Sequence, residues 1–340
     1  MPLRKLLFPF SWLFGVITWS RNMFYDLGLL SSWVIPVKSI CVGNLSTGGT
    51  GKTPHVAFLA ENLSRHGKLA ILSRGYGRKS KGFILVSQRH TSLEVGDEPL
   101  LYRKKFGEDV IVAVSENRKK GIHRLLQTYP DIKLILLDDA FQHRQVRAGL
   151  NILLTSYRSP FSADRLLPSG NLREGKSGKK RADLLIVTKC PDASVQSTIQ
   201  WSSTLRFDEK KIHFSEFIYR DPISFGTACH EIKRVLLVTG IADSTPLIEH
   251  LEKSIDVTVH SFSDHYVFTS ADIQKIHQKF DTFVKEGSAI LTTEKDFMRL
   301  KEYTKEWNIE NYPWFYIPIS VELTKESTLF NTINEYVSTI

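Results

Sequence analysis

The chain has 340 residues, of which 42% are apolar and 24% charged. These are globular values, and they exclude wholesale disorder, collagen-like repeats and a polytopic membrane protein. A net charge of +9 favours an anionic partner without choosing among nucleotide, nucleic acid, lipid headgroup and phosphorylated substrate. Three scattered cysteines without metal-ligand spacing read as reduced thiols of a cytosolic protein. The length predicts two lobes.

From Leu6 to Trp19 no residue carries a charge. As a helix this run is roughly 21 Å long, short of the ~30 Å hydrocarbon core of a bilayer. Ser11, Gly15, Thr18 and Asn22 recur at helical spacing as a small, polar stripe. Phe10, Leu13, Phe14 and Ile17 form the opposite face, and Trp12, Trp19 and Trp33 are rings of the kind found at membrane interfaces. A second apolar stretch runs from Met23 to Val37. The pattern predicts a segment, residues 1–37, lying on a membrane surface. A core helix and a short re-entrant or spanning hairpin are the alternatives. No small-x-small cleavage site follows, which argues against a signal peptide.

Beyond residue 37, apolar strand-like runs alternate with helical stretches, which predicts an α/β fold with a mostly parallel, P-loop NTPase-like sheet. Expected strands are Val37–Val42, Lys68–Ser73, Val110–Ser115, Lys133–Asp138, Asn151–Thr155 and Leu184–Thr188. Expected helices are Pro54–His66, Glu98–Phe106 and Arg118–Tyr129. A second, smaller α/β lobe follows, with strands Arg234–Thr239, Val257–Ser261, Ala289–Thr293 and Trp314–Ile319 and helices near 244–254, 270–285 and 326–338. The divisions are thus 1–37, 38–210 and 211–340. Residues 165–181 hold six Lys or Arg and one Glu among Gly, Ser and Pro. They read either as a mobile lid over an anionic ligand or as a solvated linker.

The first strand runs into Gly43-Asn44-Leu45-Ser46-Thr47-Gly48-Gly49-Thr50-Gly51-Lys52-Thr53-Pro54. Glycines let successive N–H groups turn toward a phosphate, and the following helix adds the positive end of its dipole. Lys52 is placed for the β- and γ-phosphates and the Thr53 hydroxyl for Mg²⁺. Residues 46–53 are the expected nucleotide site, with two departures. Ser46 stands where the strict P-loop pattern has its first glycine. Thr47 stands where the membrane-partitioning ATPases carry an extra lysine. Asp138 and Asp139, after an apolar run, are the expected carboxylates for the metal. A membrane-associated regulatory NTPase is the alternative function; a nucleic-acid partner lacks any recognition module, and no obligate protein partner is evident.

Seven motifs in order make the pattern specific: GNLSTGGTGKTP, SRGYGRKSKG, GDEP, LLDDAFQHR, LLPSGNLRE, FSDHYVFT and LTTEKDFMRL. Together they resemble the tetraacyldisaccharide 4'-kinase family. The resemblance implies transfer of the γ-phosphate of ATP, with Mg²⁺, to the 4'-hydroxyl of a lipid A disaccharide 1-phosphate at the cytoplasmic face of the bacterial inner membrane. Asp97 in GDEP matches the family's catalytic acid, and His265, from the second lobe, the histidine that pairs with it. Which of the two takes the proton stays open. Arg173 and Glu174 match the lid arginine and an additional Mg²⁺-linked carboxylate. Arg118 matches an arginine facing the phosphates, or else sits at a solvated helix N-terminus. Arg74 and Arg78 are candidates for the substrate 1-phosphate or for lipid headgroups. Gly175 replaces an expected proline after LRE, and Tyr266 an expected second histidine.

Overall fold

The computed structural model describes residues 7–192, 196–229, 231–324 and 326–338. Helix α1 (Phe8–Asp26) comes first. The large lobe then contains β1 (Trp33–Val34), β2 (Lys38–Asn44), α2 (Lys52–Leu63), β3 (Leu69–Ser73), β4 (Ile84–Leu85), α3 (Ser92–Val95), α4 (Asp97–Phe106) and β5 (Val110–Val114). It continues through α5 (Arg118–Thr128), β6 (Leu134–Asp138), β7 (Val146–Arg147), β8 (Leu150–Ser156), β9 (Leu184–Thr188), α6 (Thr198–Leu205) and β10 (Ile212–Tyr219). The small lobe holds β11 (Ile223–Ser224), β12 (Arg234–Thr239), α7 (Thr245–Leu251), β13 (Asp256–Ser261), α8 (Ser270–Phe283), β14 (Ser288–Thr293), α9 (Glu294–Leu300) and β15 (Trp314–Ile317). The chain then returns through β16 (Ile319–Leu323) and α10 (Glu326–Ser338).

The large sheet has the order β16-β10-β9-β8-β2-β6-β3-β5-β4 and is parallel except at its two edge pairings. Its central strands are buried on both faces, which is why they read as unbroken apolar runs. Ile40 and Val42 feed one core and Cys41 the other, as the pleat requires. The small sheet has the order β11-β15-β14-β12-β13. From β2 the chain first builds the β3, β5 and β6 side, then crosses to β8. That reversal places a crevice at the carboxyl ends of β2 and β8, where α/β sheets bind ligands.

The predicted strand Trp314–Ile319 is in fact two strands in two sheets. Pro318 has no N–H to continue a ladder, so β15 stops at Ile317 and β16 pairs with β10 instead. Leu329, Phe330 and Ile333 of α10 then bury in the large-lobe core. The Tyr336 hydroxyl accepts a hydrogen bond from the Ser39 N–H at 3.0 Å. Its ring leaves no room for a side chain at Gly149, where a Cβ would stand 1.9 Å from that oxygen. Residues 212–219 and 319–338, expected in the second lobe, therefore belong to the large sheet and its cover.

Helix α1 is longer than its uncharged run and packs the opposite way from a core helix. Ser11 and Thr18 are buried, while Phe10, Trp12, Leu13 and Ile17 are each more than half exposed. The small stripe faces the 165–181 segment: the Ser11 hydroxyl donates to Ser169 Oγ at 2.8 Å, and Gly15 lies against Leu166. Phe14 is half-buried. Among the described residues no helix is long and apolar enough to cross a membrane. Arg4, Lys5 and Leu6 lie outside the described residues.

Candidate active site

The phosphate loop spans the end of β2 to the start of α2. Gly48 and Gly51 hold φ of +105° and +80°, a region side chains disfavour. A Cβ on Gly51 would also stand 2.7 Å from Phe217. Asn44 braces the loop from inside. Its amide donates to Thr50 Oγ1 at 2.8 Å, and its carbonyl accepts from Lys52 Nζ at 3.4 Å. The first N–H groups of α2 have no partner within the helix, so Lys52 and Thr53 sit at an anion-binding end. Thr47 differs from expectation: its N–H donates to the Asn171 carbonyl at 2.7 Å, which commits that group to the 165–181 segment. Ser46 likewise pairs as a bridge with Leu172.

The two acids after β6 have different surroundings. Asp139 adopts φ +48° and faces cations: Arg173 Nη1 lies 2.9 Å and Lys52 Nζ 3.7 Å from its Oδ1. Burial raises its pKa, but Lys52 and Arg173 outweigh burial and hold it below the usual range. Asp138 is fully buried, and neither carboxylate oxygen has a hydrogen-bond partner among the described residues. Burial, then repulsion from Glu98 and Asp139, pushes it up to about 7. A buried carboxylate without a donor, beside a phosphate loop, fits a divalent cation. Among the described residues no group of three or more His, Cys, Asp or Glu could hold a metal alone. Mg²⁺ needs none, since it keeps waters and phosphate oxygens as most of its ligands.

Across the cleft lies a charged cluster drawn from both lobes. Asp97 begins α4 of the large lobe and is buried. Arg299 of α9 donates to its Oδ2 through Nε at 3.1 Å and through Nη2. His265 Nδ1 lies 3.5 Å and Lys295 Nζ 3.9 Å from the same oxygen. Burial alone raises an acid, but Lys295, His265 and Arg299 outweigh it and hold Asp97 well below the ordinary carboxylate range. Glu98, the next residue, joins this cluster to the phosphate loop. Its Oε1 accepts from the Thr53 hydroxyl at 3.1 Å and from Lys295 Nζ at 3.3 Å. His265 itself sits in a turn at φ +57°, its ring against Tyr76 at 4.5 Å. A small cavity of about 60 Å³, lined by Tyr76, Asp97, His265 and Arg299 among others, opens beside the pair.

Two expected residues stand elsewhere. Glu174 is fully buried and its oxygens are occupied by Asn22 Nδ2 at 2.6 Å, Gln142 Nε2 at 3.0 Å and Arg181 at 2.6 Å. It ties α1 to the 165–181 segment instead of facing a metal. Arg118 is buried, not solvated, and its guanidinium donates to the carbonyls of Ser115 and Asp138 at 2.6 and 2.9 Å. Burial lowers its pKa to about 10. It braces the strand end that carries Asp138. The 165–181 segment is no solvated linker, since Leu172 and Glu174 are buried and Arg173 N–H donates to Leu45 O at 2.8 Å. Arg78 is paired with Glu116 at 2.7 Å, while Arg74 is exposed. Asn44, Glu98, Lys295 and Arg299 carry no expected role in the sequence, although GDEP and LTTEKDFMRL contain three of them.

The chain is similar to known proteins over nearly its whole length. The family model described as tetraacyldisaccharide-1-P 4'-kinase matches residues 3–338. The chain is 43% identical to the tetraacyldisaccharide 4'-kinase of Flavobacterium psychrophilum, over 98% of this chain and 97% of that one. It is 41% identical to that of Cytophaga hutchinsonii, over 97% and 95%. The fold is similar to the crystal structure of the "apo" form of LpxK from Aquifex aeolicus in complex with ATP. There the TM-score is 0.76 at 33% identity, covering 98% of this chain and 99% of that one.

The orphaned state of Asp138 gives a test. Asp138→Asn removes a buried repulsion, so without Mg²⁺ its melting temperature should rise by about 1–2 °C, the shift expected for roughly 1 kcal/mol in a chain of this size. The added stabilisation from Mg²⁺ with nucleotide should disappear. A variant that melts lower than wild type yet keeps the Mg²⁺ effect would remove Asp138 from the metal site.

Proposed function

The chain belongs to the tetraacyldisaccharide 4'-kinase family, and we propose that this cleft transfers the γ-phosphate of ATP to the 4'-hydroxyl of a tetraacylated glucosamine disaccharide 1-phosphate, a lipid A precursor. One observation carries the reading. Glu98 accepts from Thr53 on the phosphate side and from Lys295 on the Asp97–His265 side, so the two half-sites are one side chain apart.

Each residue has a physical task. Lys52 and Arg173 bring positive charge to the phosphate oxygens, with Asp139 between them as counter-ion. Residues 48–53 supply the turn and helix end that cradle the phosphates. Thr53 and Asp138 would hold Mg²⁺, which when bound would neutralise charge developing on the transferred phosphoryl group. Because that transition state is loose, the acceptor hydroxyl must mainly be oriented, and its proton leaves late. Asp97 is already surrounded by cations and is a weak base. It serves as the fixed anion beside His265 Nδ1, and the imidazole accepts the proton at Nε2. The pair thus acts as one unit.

Helix α1 accounts for access to a lipid. Its outward face, Phe10, Trp12, Leu13 and Ile17, lies in the surface of the bilayer at the cytoplasmic face of the inner membrane. The acyl chains then stay in lipid while the sugar reaches the cleft. The docked side of the same helix holds the segment that carries Arg173.

With labelled ATP and the disaccharide 1-phosphate in mixed micelles, Asp97→Ala and His265→Ala should each lower kcat by about 10²–10⁴-fold. The double variant should be little worse than the worse single one. Full additivity of the two losses would assign the residues to separate steps, and unimpaired lipid labelling in both would remove the pair from the chemistry.

The outer face of α1 is testable without disturbing packing, because Leu13 and Ile17 are 53% and 59% exposed. Replacing both by Glu should reduce co-sedimentation with anionic vesicles by at least about tenfold, since burying each side chain is worth about 1.5–3 kcal/mol. Sedimentation like the wild type would contradict membrane docking through this face.

A further inference from the structure

We propose that Lys295 is a further positioning residue of the transfer reaction, locking His265 in the one neutral tautomer whose Nε2 is free of a proton. The inference rests on reading Asp97 and His265 as the pair that handles the proton. It is carried by the donor and acceptor chemistry of three neighbouring groups. Lys295 Nζ lies 3.3 Å from His265 Nε2. An ammonium has three donors and no acceptor, so the nitrogen facing it must accept and carries no hydrogen. The ring proton is then on Nδ1, which lies 3.5 Å from the carboxylate oxygen of Asp97. The other tautomer would set N–H against NH₃⁺ and a lone pair against a carboxylate.

The groups facing His265 come from four segments. Asp97 and Glu98 belong to α4, Lys295 and Arg299 to α9, Asp264 to its own turn, and Tyr76 to the loop after β3. Arg299 is engaged with Asp97 and Asp296. Among the described residues in contact with Nε2, Asp264 is the one that favours a proton there, and its Oδ2 stands 3.8 Å away, farther than Lys295. Lys295 is itself held as an ammonium: burial disfavours its charge, but Glu98 and Asp97 outweigh burial and raise its pKa. The His265 backbone is fixed as well, its N–H donating to Gly240 O at 3.2 Å.

The consequence for chemistry is direct. An unprotonated Nε2 is the form that can accept the hydroxyl proton, once the acceptor hydroxyl takes the place of Lys295 as its hydrogen-bond donor. As the hydroxyl oxygen bonds to phosphorus and the bond to the ADP oxygen breaks, the O–H proton passes to Nε2, and Asp97 offsets the charge at Nδ1–H. Lys295 thereby keeps Asp264 from drawing the ring proton from Nδ1 to Nε2 before substrate arrives.

The test uses full-length protein labelled with ¹⁵N-histidine and long-range ¹H–¹⁵N correlation near pH 7.5, the His265 signals being identified by their loss in His265→Gln. Wild type should show the Nδ1–H pattern; an Nε2–H or doubly protonated pattern there overturns the proposal whatever the variants do. In Lys295→Met the pattern should move toward Nε2–H. Its kcat for lipid phosphorylation should fall about 10–10²-fold, as for a displaced catalytic group, with the KM for ATP within about twofold of wild type. Lys295→Arg keeps a donor and should restore the Nδ1–H pattern and most of the rate. A folded Lys295→Met that loses activity but keeps the Nδ1–H pattern assigns the lysine to structure alone and overturns the proposal. Full turnover by His265→Ala in the same assay would instead refute the reading of the pair on which it rests.

Discussion

A buried carboxylate cannot remain ionised without countercharge, and Asp97 obtains its countercharge from the other lobe. It stands at the first turn of α4 in the large lobe, while Arg299, Lys295 and His265 follow strands of the small sheet. Removing one member of such a buried pair leaves a charge exposed to low dielectric, at a cost of about 3–5 kcal/mol. The same interaction therefore closes the cleft and assembles the site. Glu98 extends it by one residue to Thr53, so the positions of the phosphate loop and of the imidazole are not independent.

On the opposite lip the logic is reversed. Asp139 is neutralised by Lys52 and Arg173, whereas Asp138 is left without a donor and is pushed toward neutrality. Adjacent acids thus divide into a counter-ion for cations and a buried carboxylate whose chemistry fits a divalent ion. The segment carrying Arg173 is in turn fixed at its middle, by backbone pairing of residues 171–173 with residues 45–47 and by the buried Glu174 beside them. Because Glu174 also accepts from Asn22, the exposed apolar face of α1 and the segment that carries Arg173 are parts of one packed unit.

Local features were legible in the chain. The phosphate loop is contiguous, and each of its residue types has a backbone reason, so residues 43–54 announce themselves. The small stripe on α1 predicts its docked side because Ser11, Gly15 and Thr18 are the residues that permit close approach. The strands of the large sheet read clearly because burial on both faces makes them uniformly apolar. Features that depend on long-range pairing were not legible. Asp97 and His265 meet only through the family motifs, being on different lobes. Pro318 was readable as a strand breaker, but nothing local says that the chain crosses to the other sheet there. The i, i+4 spacing of Lys295 and Arg299 marks one helix face without naming the acid it meets. Glu174 and Arg118 kept their motif positions, yet their burial and their partners depend on segments distant in the chain.

The central claim is that the charge pair across the cleft sets the geometry in which phosphate moves. Arg299 touches Asp97, Asp296 and Gly240, and so holds the two acids and the end of β12 together. Single-turnover transfer of labelled γ-phosphate to the lipid disaccharide, measured for folded Arg299→Met with ATP saturating, tests that claim most directly. The account predicts a rate about 10²-fold below wild type, the loss expected for small displacements of catalytic groups, with ATP affinity retained. A folded variant that transfers phosphate at the wild-type rate would contradict it.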